Sequence, residues 1–174
     1  LGKSDAVVRS ADTLDTDGEF AQDVIPQSLS DKLARVDGVA SVAPQVEGFG
    51  QLAGSDGEKL GGNGPPTFAG NWITDSALNP YRLVEGRAPR TPDEVVINRG
   101  AAKDGHLTIG DTTTLASPDP VEVTIVGLAT FGDEDGLGPT TFTAFTLAGA
   151  QEHVLGRPDS VTSFLVRAEP GVDQ

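Results

Sequence analysis

Two imidazoles are the side chains here best suited to proton transfer at neutral pH: His106, which follows Gly105, and His153, within AQEHVLG. Hydrolysis would need one of them beside a nucleophile and an orienting acid. The sequence holds neither a G-x-S-x-G elbow nor an H-E-x-x-H pair. His106 reads as a turn residue. His153 falls late in a helical run, where a cation complements the helix dipole. Neither is expected to be catalytic. Metal chemistry fares no better. DTDGE at 15–19 puts Asp15, Asp17 and Gly18 at calcium-loop positions three, five and six, but position one is Thr13 and position twelve is Val24. The bidentate acid of such a loop is missing. GDEDG at 132–136 fails similarly. With no Cys in the chain there is no disulfide, zinc–thiolate site or thiol nucleophile. GGNGPP at 61–66 lacks the Gly-Lys-Ser/Thr of a phosphate cradle. No cofactor and no metal are expected.

The stretch with the most chemical content is LVEGRAPRTPDEVVIN, residues 83–98. Gly86-Arg87 could hold an anion, or it could tie two parts of the fold together. Pro89 and Pro92 forbid regular structure and fix the approach to the EVVIN strand. An Arg beside a tight turn is more often held by a carboxylate, here Glu94 or Asp93. Gly86, Arg87, Pro89 and Glu94 are therefore read as a structural joint, and Arg87→Ala is expected to lower thermal stability without abolishing binding.

The elements that must position this joint are short. With 22 Gly and 12 Pro among 174 residues, many turns separate short strands. At 37% apolar residues a core can form, enough for one domain or two small lobes. Strand candidates are AVVRS (6–10), VASVAPQV (39–46), 49–53, TFAGNWI (67–73), EVVIN (94–98), 112–116, VEVTIVGL (121–128), 140–145 and SVTSFLVRA (160–168). GSDGE reads as a hairpin turn, and 107–109 with 112–116 as a second hairpin around Gly110-Asp111. Pro26 can open a helix with Leu29, Leu33 and Val36 on one face and Gly38 beyond its end. Residues 99–103 make a short helix stopped by Gly105. Thr146 can cap a helix over 147–155, closed by Gly156.

VASV after the first helix and VTSF after the last suggest two strand–helix–strand units framing the chain. The fold expected is α+β: a ferredoxin-like, porter-type split βαβ lobe, residues 1–82 and 129–174, with a β-rich lobe inserted at 83–128.

Twelve cations against 26 acids leave a net charge of −14. Such a surface repels phosphate backbones, which argues against nucleic acid as a partner. No apolar run reaches the ~20 residues of a membrane span, and no signal peptide opens the chain. It begins at Leu and has no Met, which reads as a segment excised from something longer. The Gly-rich polar loops around Asn63 and at Asp133, Glu134 and Asp135 are candidate partner-contact surfaces.

The ordered segments LGKSDAVV, LARVDGVASVAP, LVEGRAPRTPDEVVIN, LTIGDTTTL, EVTIVGLATFG and LAGAQEHVLGRPDSVTSFLVRAEPGVDQ resemble the extracytoplasmic domain of FtsX-like, MacB-type ABC transporter permeases. Gly86, Arg87, Pro89, Glu94, Gly110, Asp111, Val126 and Gly127 occupy that family's recurrent positions. The resemblance implies a non-catalytic domain on the outer face of a bacterial membrane, carried between transmembrane helices of its own permease. Its partners would be a separate cytoplasmic ABC ATPase subunit and an extracytoplasmic substrate or protein. Its work would be mechanotransmission. The chain stops at AEPGVDQ, where the family would continue, so its last element is expected to be missing. The alternative is a free secreted or surface-attached binding module.

Overall fold

The computed structural model describes residues 4–11, 23–61, 67–135 and 140–171. The first part of the chain forms β1 (Ala6–Val8), β2 (Ile25–Pro26), helix α1 (Leu29–Leu33), β3 (Val39–Gln45), β4 (Glu47–Phe49), β5 (Gln51–Leu52), β6 (Thr67–Asn71) and β7 (Tyr81–Gly86). Then come β8 (Glu94–Asn98), helix α2 (Arg99–Asp104), β9 (Thr112–Ser117), β10 (Asp119–Phe131), β11 (Thr141–Phe145) and helix α3 (Leu147–Ala150). Helix α3 widens into a π-helical turn over Gln151–Leu155, and β12 (Ser160–Val161) and β13 (Ser163–Ala168) close the order.

β10 organises the larger sheet. Its 13 residues, rich in Val, Ile and Thr, pair in parallel with β8 on one side. On the other side they pair antiparallel with β9 along the first half and with β7 along the second. The ladder runs β4-β6-β11-β8-β10-β9-β5. Its two ends are consecutive in sequence, separated by Gly50 alone, so the ladder returns on itself and closes a barrel. Ser117 Oγ donates to Phe49 O at 2.7 Å beside that corner. A Cβ on Gly50 would stand 2.3 Å from Ala69 Cβ, so the chain turns there without a side chain.

The smaller sheet has the order β1-β13-β3. β1 and β3 are each antiparallel to β13, hence parallel to one another, and α1 lies between them in sequence: a split βαβ. The class is α+β, with mixed sheets and short helices. The final strand–helix–strand unit divides itself, β11 entering the barrel and β13 the small sheet. Strands of the large sheet run across both ends of the 83–128 block, since β7 begins at Tyr81 and β10 runs on to Phe131.

One main apolar cluster spans both sheets. Leu52, Ile97, Leu115, Ile125 and Phe145 from the barrel share it with Ile25, Val161 and Phe164, and Leu29 and Leu33 pack on it from α1. On its other face, β13 places Leu165 in a second cluster with Ala43, Ile73 and Leu78. Both faces of this strand are therefore covered, which explains why Phe164, Leu165 and Val166 form a continuous apolar run rather than an alternation.

Local expectations that differ do so through pairing. Ile25–Pro26 is a strand held to β12, because burying Ile25 opposite Val161 outweighs opening a helix at Pro26. Helix α1 ends at Leu33, and Val36 is 54% exposed rather than on the packed face. The hairpin partner of β9 is β10, with Ser117 opposite Asp119, not residues 107–109. The run 49–53 is bent at Gly50 into two strands.

Candidate functional site

β7 ends at Gly86, and the chain crosses the backbone of β10 before turning towards β8. Arg87 N–H donates to Val126 O at 3.0 Å. Gly86 has φ +72°, and a Cβ there would stand 2.3 Å from Val126 O. A Cβ on Gly127 would stand 2.4 Å from Arg87 O. The β10–β8 register slips between Ile125 and Gly127, so a bulge sits at the crossing. Gly86-Arg87 and Val126-Gly127 are thus interlocked, and neither glycine has room for a side chain.

The Arg87 guanidinium meets Glu94 as a fork. Nη1 donates to Oε2 at 2.8 Å, Nη2 to Oε1 at 2.5 Å, and Nη1 also reaches Ala88 O at 3.1 Å. Arg90 N–H donates to Glu94 Oε2 at 2.8 Å. Bidentate, charge-assisted bonds of this kind are the strong ones. The bonds from Arg87, then the Arg90 amide, hold the Glu94 carboxyl down at about 2. The same bond raises Arg87 above its usual range. The fork balances the guanidinium's charge and, with the Ala88 bond, takes up three of its five N–H donors, which favours a structural tie over an anion site. Pro89 lies between the bonded ends of the turn and lines a cleft between the sheets.

Asp93 faces the other way. Its Oδ1 is 3.1 Å from His153 Nε2, and that ring lies 5.4 Å from the Phe145 ring. Pro92 O approaches α3 so closely that a Cβ on Gly149 would stand 2.4 Å from it. Thr146 caps this helix, its Oγ1 accepting from Gly149 N–H at 3.0 Å. Thr146→Ala is expected to cost about 1 kcal/mol, read from denaturant unfolding. In the π turn, Gln151 Nε2 donates to Gln27 Oε1 at 2.8 Å and Ser160 O at 3.0 Å, and Gly156 ends the helix at φ +62°. The stretch 83–98 therefore belongs to the barrel through β7 and β8 and abuts the helix that leads into the small sheet.

In the acidic loop, Asp133 pairs with Arg82 at 3.2 Å, with both side chains largely exposed. Glu134 exchanges backbone hydrogen bonds with Phe131 at 2.9 and 3.0 Å. Asp135 is clamped to α2: its Oδ1 accepts from Arg99 Nε at 2.5 Å, its Oδ2 meets Lys103 Nζ, and its carbonyl accepts from Gly100 N–H at 3.0 Å. Lys103, then Arg99, hold its carboxyl below the usual range. Asp135→Ala is expected to raise amide hydrogen exchange at Gly100 while moving the melting temperature by less than about 2 °C, because exposed pairs are weak. Asn63, DTDGE and residues 136–139 lie outside the described residues.

His106 takes φ +51° in the exposed turn after α2. Among the described residues, neither imidazole is hydrogen-bonded to a hydroxyl, and no group of three His, Asp or Glu could hold a metal ion. Sequence reasoning named Val126 and Gly127 only as recurrent family positions and not as half of this crossing, and it missed the Asp93–His153 contact and the Asp135 clamp. Arg99 and Lys103 stand four residues apart on one helix, a spacing that could have flagged the last.

The model of the MacB-like periplasmic core domain family matches residues 3–174. The chain belongs to that family. As a MacB-like core domain it is an extracytoplasmic domain of an ABC transporter permease, a setting that implies transmembrane helices and an ATPase as partners. Similar solved structures include the periplasmic region of MacB from Actinobacillus actinomycetemcomitans, 13% identical, with TM-score 0.58 over 97% of this chain and 75% of that one. The extracellular domain of the noncanonic ABC-type transporter YknZ from Gram-positive bacteria is 15% identical, with TM-score 0.59 over 95% and 85%. A domain of a putative permease protein from Porphyromonas gingivalis is 15% identical, with TM-score 0.54 over 86% and 69%. At these identities the likeness is one of fold. No curated protein matches the sequence. Among the described residues, no helix of this core domain is long and apolar enough to cross a membrane.

Proposed function

We propose that this domain is a non-catalytic, force-transmitting part of its permease. A separate cytoplasmic ATPase moves the transmembrane helices, and the domain follows as one braced body that meets an extracytoplasmic substrate or partner protein. The observation that carries this reading is the joint at 83–98. It is interlocked with β10 through Gly86 and Gly127, forked through Arg87 and Glu94, and pressed on α3 at Pro92. The apolar cluster shared by both sheets supports the same reading, because a continuous packed core resists hinging. Asp133 and Glu134, exposed beside the Asp135 clamp, are the contact surface we assign to a partner, together with Asn63 in the other Gly-rich loop.

The test uses the intact permease with its ATPase. One spin label replaces the exposed Glu122, and another sits at the outer end of a transmembrane helix. The distance between them is expected to change by roughly 5 Å or more when ATP is added. An unchanged distance, with ATP turning over, would overturn the reading.

A further inference from the structure

A cavity of about 310 Å³ lies where the two sheets meet the joint. Val42 and Pro44 of β3, Trp72 and Asp75 after β6, Pro89 of the turn and Leu147 of α3 line it. Its polar wall groups are largely satisfied by the fold. Asn71 Oδ1 accepts from Val46 N–H at 2.7 Å, and its Nδ2 donates to Pro44 O at 3.0 Å. Thr146 Oγ1 serves the α3 cap. Among the described residues that line it, Asp75 is the only ionisable one, and Ala77 N–H at 2.8 Å holds its Oδ1 in place. Among the described residues, Asp75 Oδ2 and the Trp72 indole N–H have no hydrogen-bond partner.

From these observations we infer that the cavity is a binding site for a small organic ammonium with an apolar body. The ammonium would pair with Asp75 Oδ2 and lie against the face of Trp72, where the ring quadrupole attracts a cation. The apolar body would fill the space between Val42, Pro44, Pro89 and Leu147. Charge selects the class: the described residues that line the cavity include one carboxylate and no cation, in a chain of net charge −14 that concentrates cations and repels anions. Volume selects the size, roughly ten non-hydrogen atoms, at the small end of ligand pockets. The site stands independently of the force-transmission reading, since it needs only the cavity.

Trp72 is the only Trp in the chain, so its emission reports on this cavity alone. The probe is 2-phenylethylammonium, titrated into the domain at low ionic strength beside its neutral analogue 2-phenylethanol. Saturable change in Trp72 emission is expected with the ammonium, at least about tenfold weaker with the alcohol, where tenfold corresponds to about 1.4 kcal/mol. Asp75→Asn keeps an Oδ1 for the Ala77 cap and is expected to weaken ammonium binding by about tenfold at an unchanged melting temperature. If that variant melts early, Thr74→Lys serves instead: Thr74 is exposed and lines the cavity, and a lysine there would block the probe by occupying Asp75 itself. No saturable change up to ~10 mM, the level of non-specific contact, would overturn the inference. So would equal binding of the alcohol, or undiminished binding by a folded variant.

Discussion

Gly127→Ala is expected to cost at least about 3 kcal/mol, or roughly 6–12 °C in melting temperature for a chain of this size. The added methyl would meet Arg87 O at 2.4 Å, Leu83 Cδ1 at 2.9 Å and Val96 Cγ2 at 3.1 Å. The side-chain atoms can move aside. The carbonyl cannot, because Arg87 N–H is itself bound to Val126 O at 3.0 Å, one residue from the substitution. Relief therefore requires parting β7 from β10, and with it the entry to the Arg87–Glu94 fork. Thermal unfolding followed by circular dichroism reads the effect. A loss of about 1 kcal/mol or less, no more than an average point substitution costs, would mean that the crossing yields easily and is no lock.

Glu94→Gln is expected to lower the melting temperature by about 3–6 °C at pH 7. It keeps the shape of the side chain but removes the charge that makes the fork strong. Its pH dependence carries a sign. The Glu94 carboxyl is held at about 2 in the folded chain against an ordinary 4.5, so it binds its proton less readily when folded than when unfolded. Its stabilising contribution is therefore complete above about pH 5 and is lost as pH falls from 4.5 towards 2. The native chain should lose stability across that window faster than the Gln variant, and the two melting curves should converge near the lower end. Asp135, also depressed, acts in the same direction in both proteins and leaves the difference intact. Parallel curves over this range would show that the fork contributes nothing as an ion pair.

Much of the local structure was legible in the sequence because its causes are local. The Thr146 cap, the Gly156 stop, the Gly105 stop after α2 and the EVVIN strand each rest on a few neighbouring residues. Arg87 was legible as a tethered cation, though its choice of Glu94 over Asp93 depends on which way Pro92 turns the chain. What lay beyond the sequence was pairing at a distance. Barrel closure depends on Gly50 bending one apolar run so that its halves join β6 and β9, strands more than 40 residues apart. Pattern cannot reveal it, since alternation looks the same in one strand or two. The same holds for Ile25–Pro26, where a buried contact with Val161 decides the backbone against the local preference of Pro for a helix start. Gly127 reads in sequence only as one position of the VEVTIVGL strand; the carbonyl of Arg87, 2.4 Å from where a Cβ would stand, is what requires a glycine there.

The most direct test is a distance within the domain. The chain has no Cys, so Ala40→Cys on β3 and Glu122→Cys on β10, both exposed, place one spin label on each sheet. Pulsed electron–electron resonance on the intact permease with its ATPase then compares nucleotide-free and ATP-bound states. A body braced at Gly86, Arg87, Glu94 and Gly127 should give the same narrow distance in both, within about 2 Å, while the domain as a whole changes its distance to the membrane helices. A shift of roughly 5 Å between the two labels, or a distribution that splits in two, would make the joint a hinge and contradict the brace.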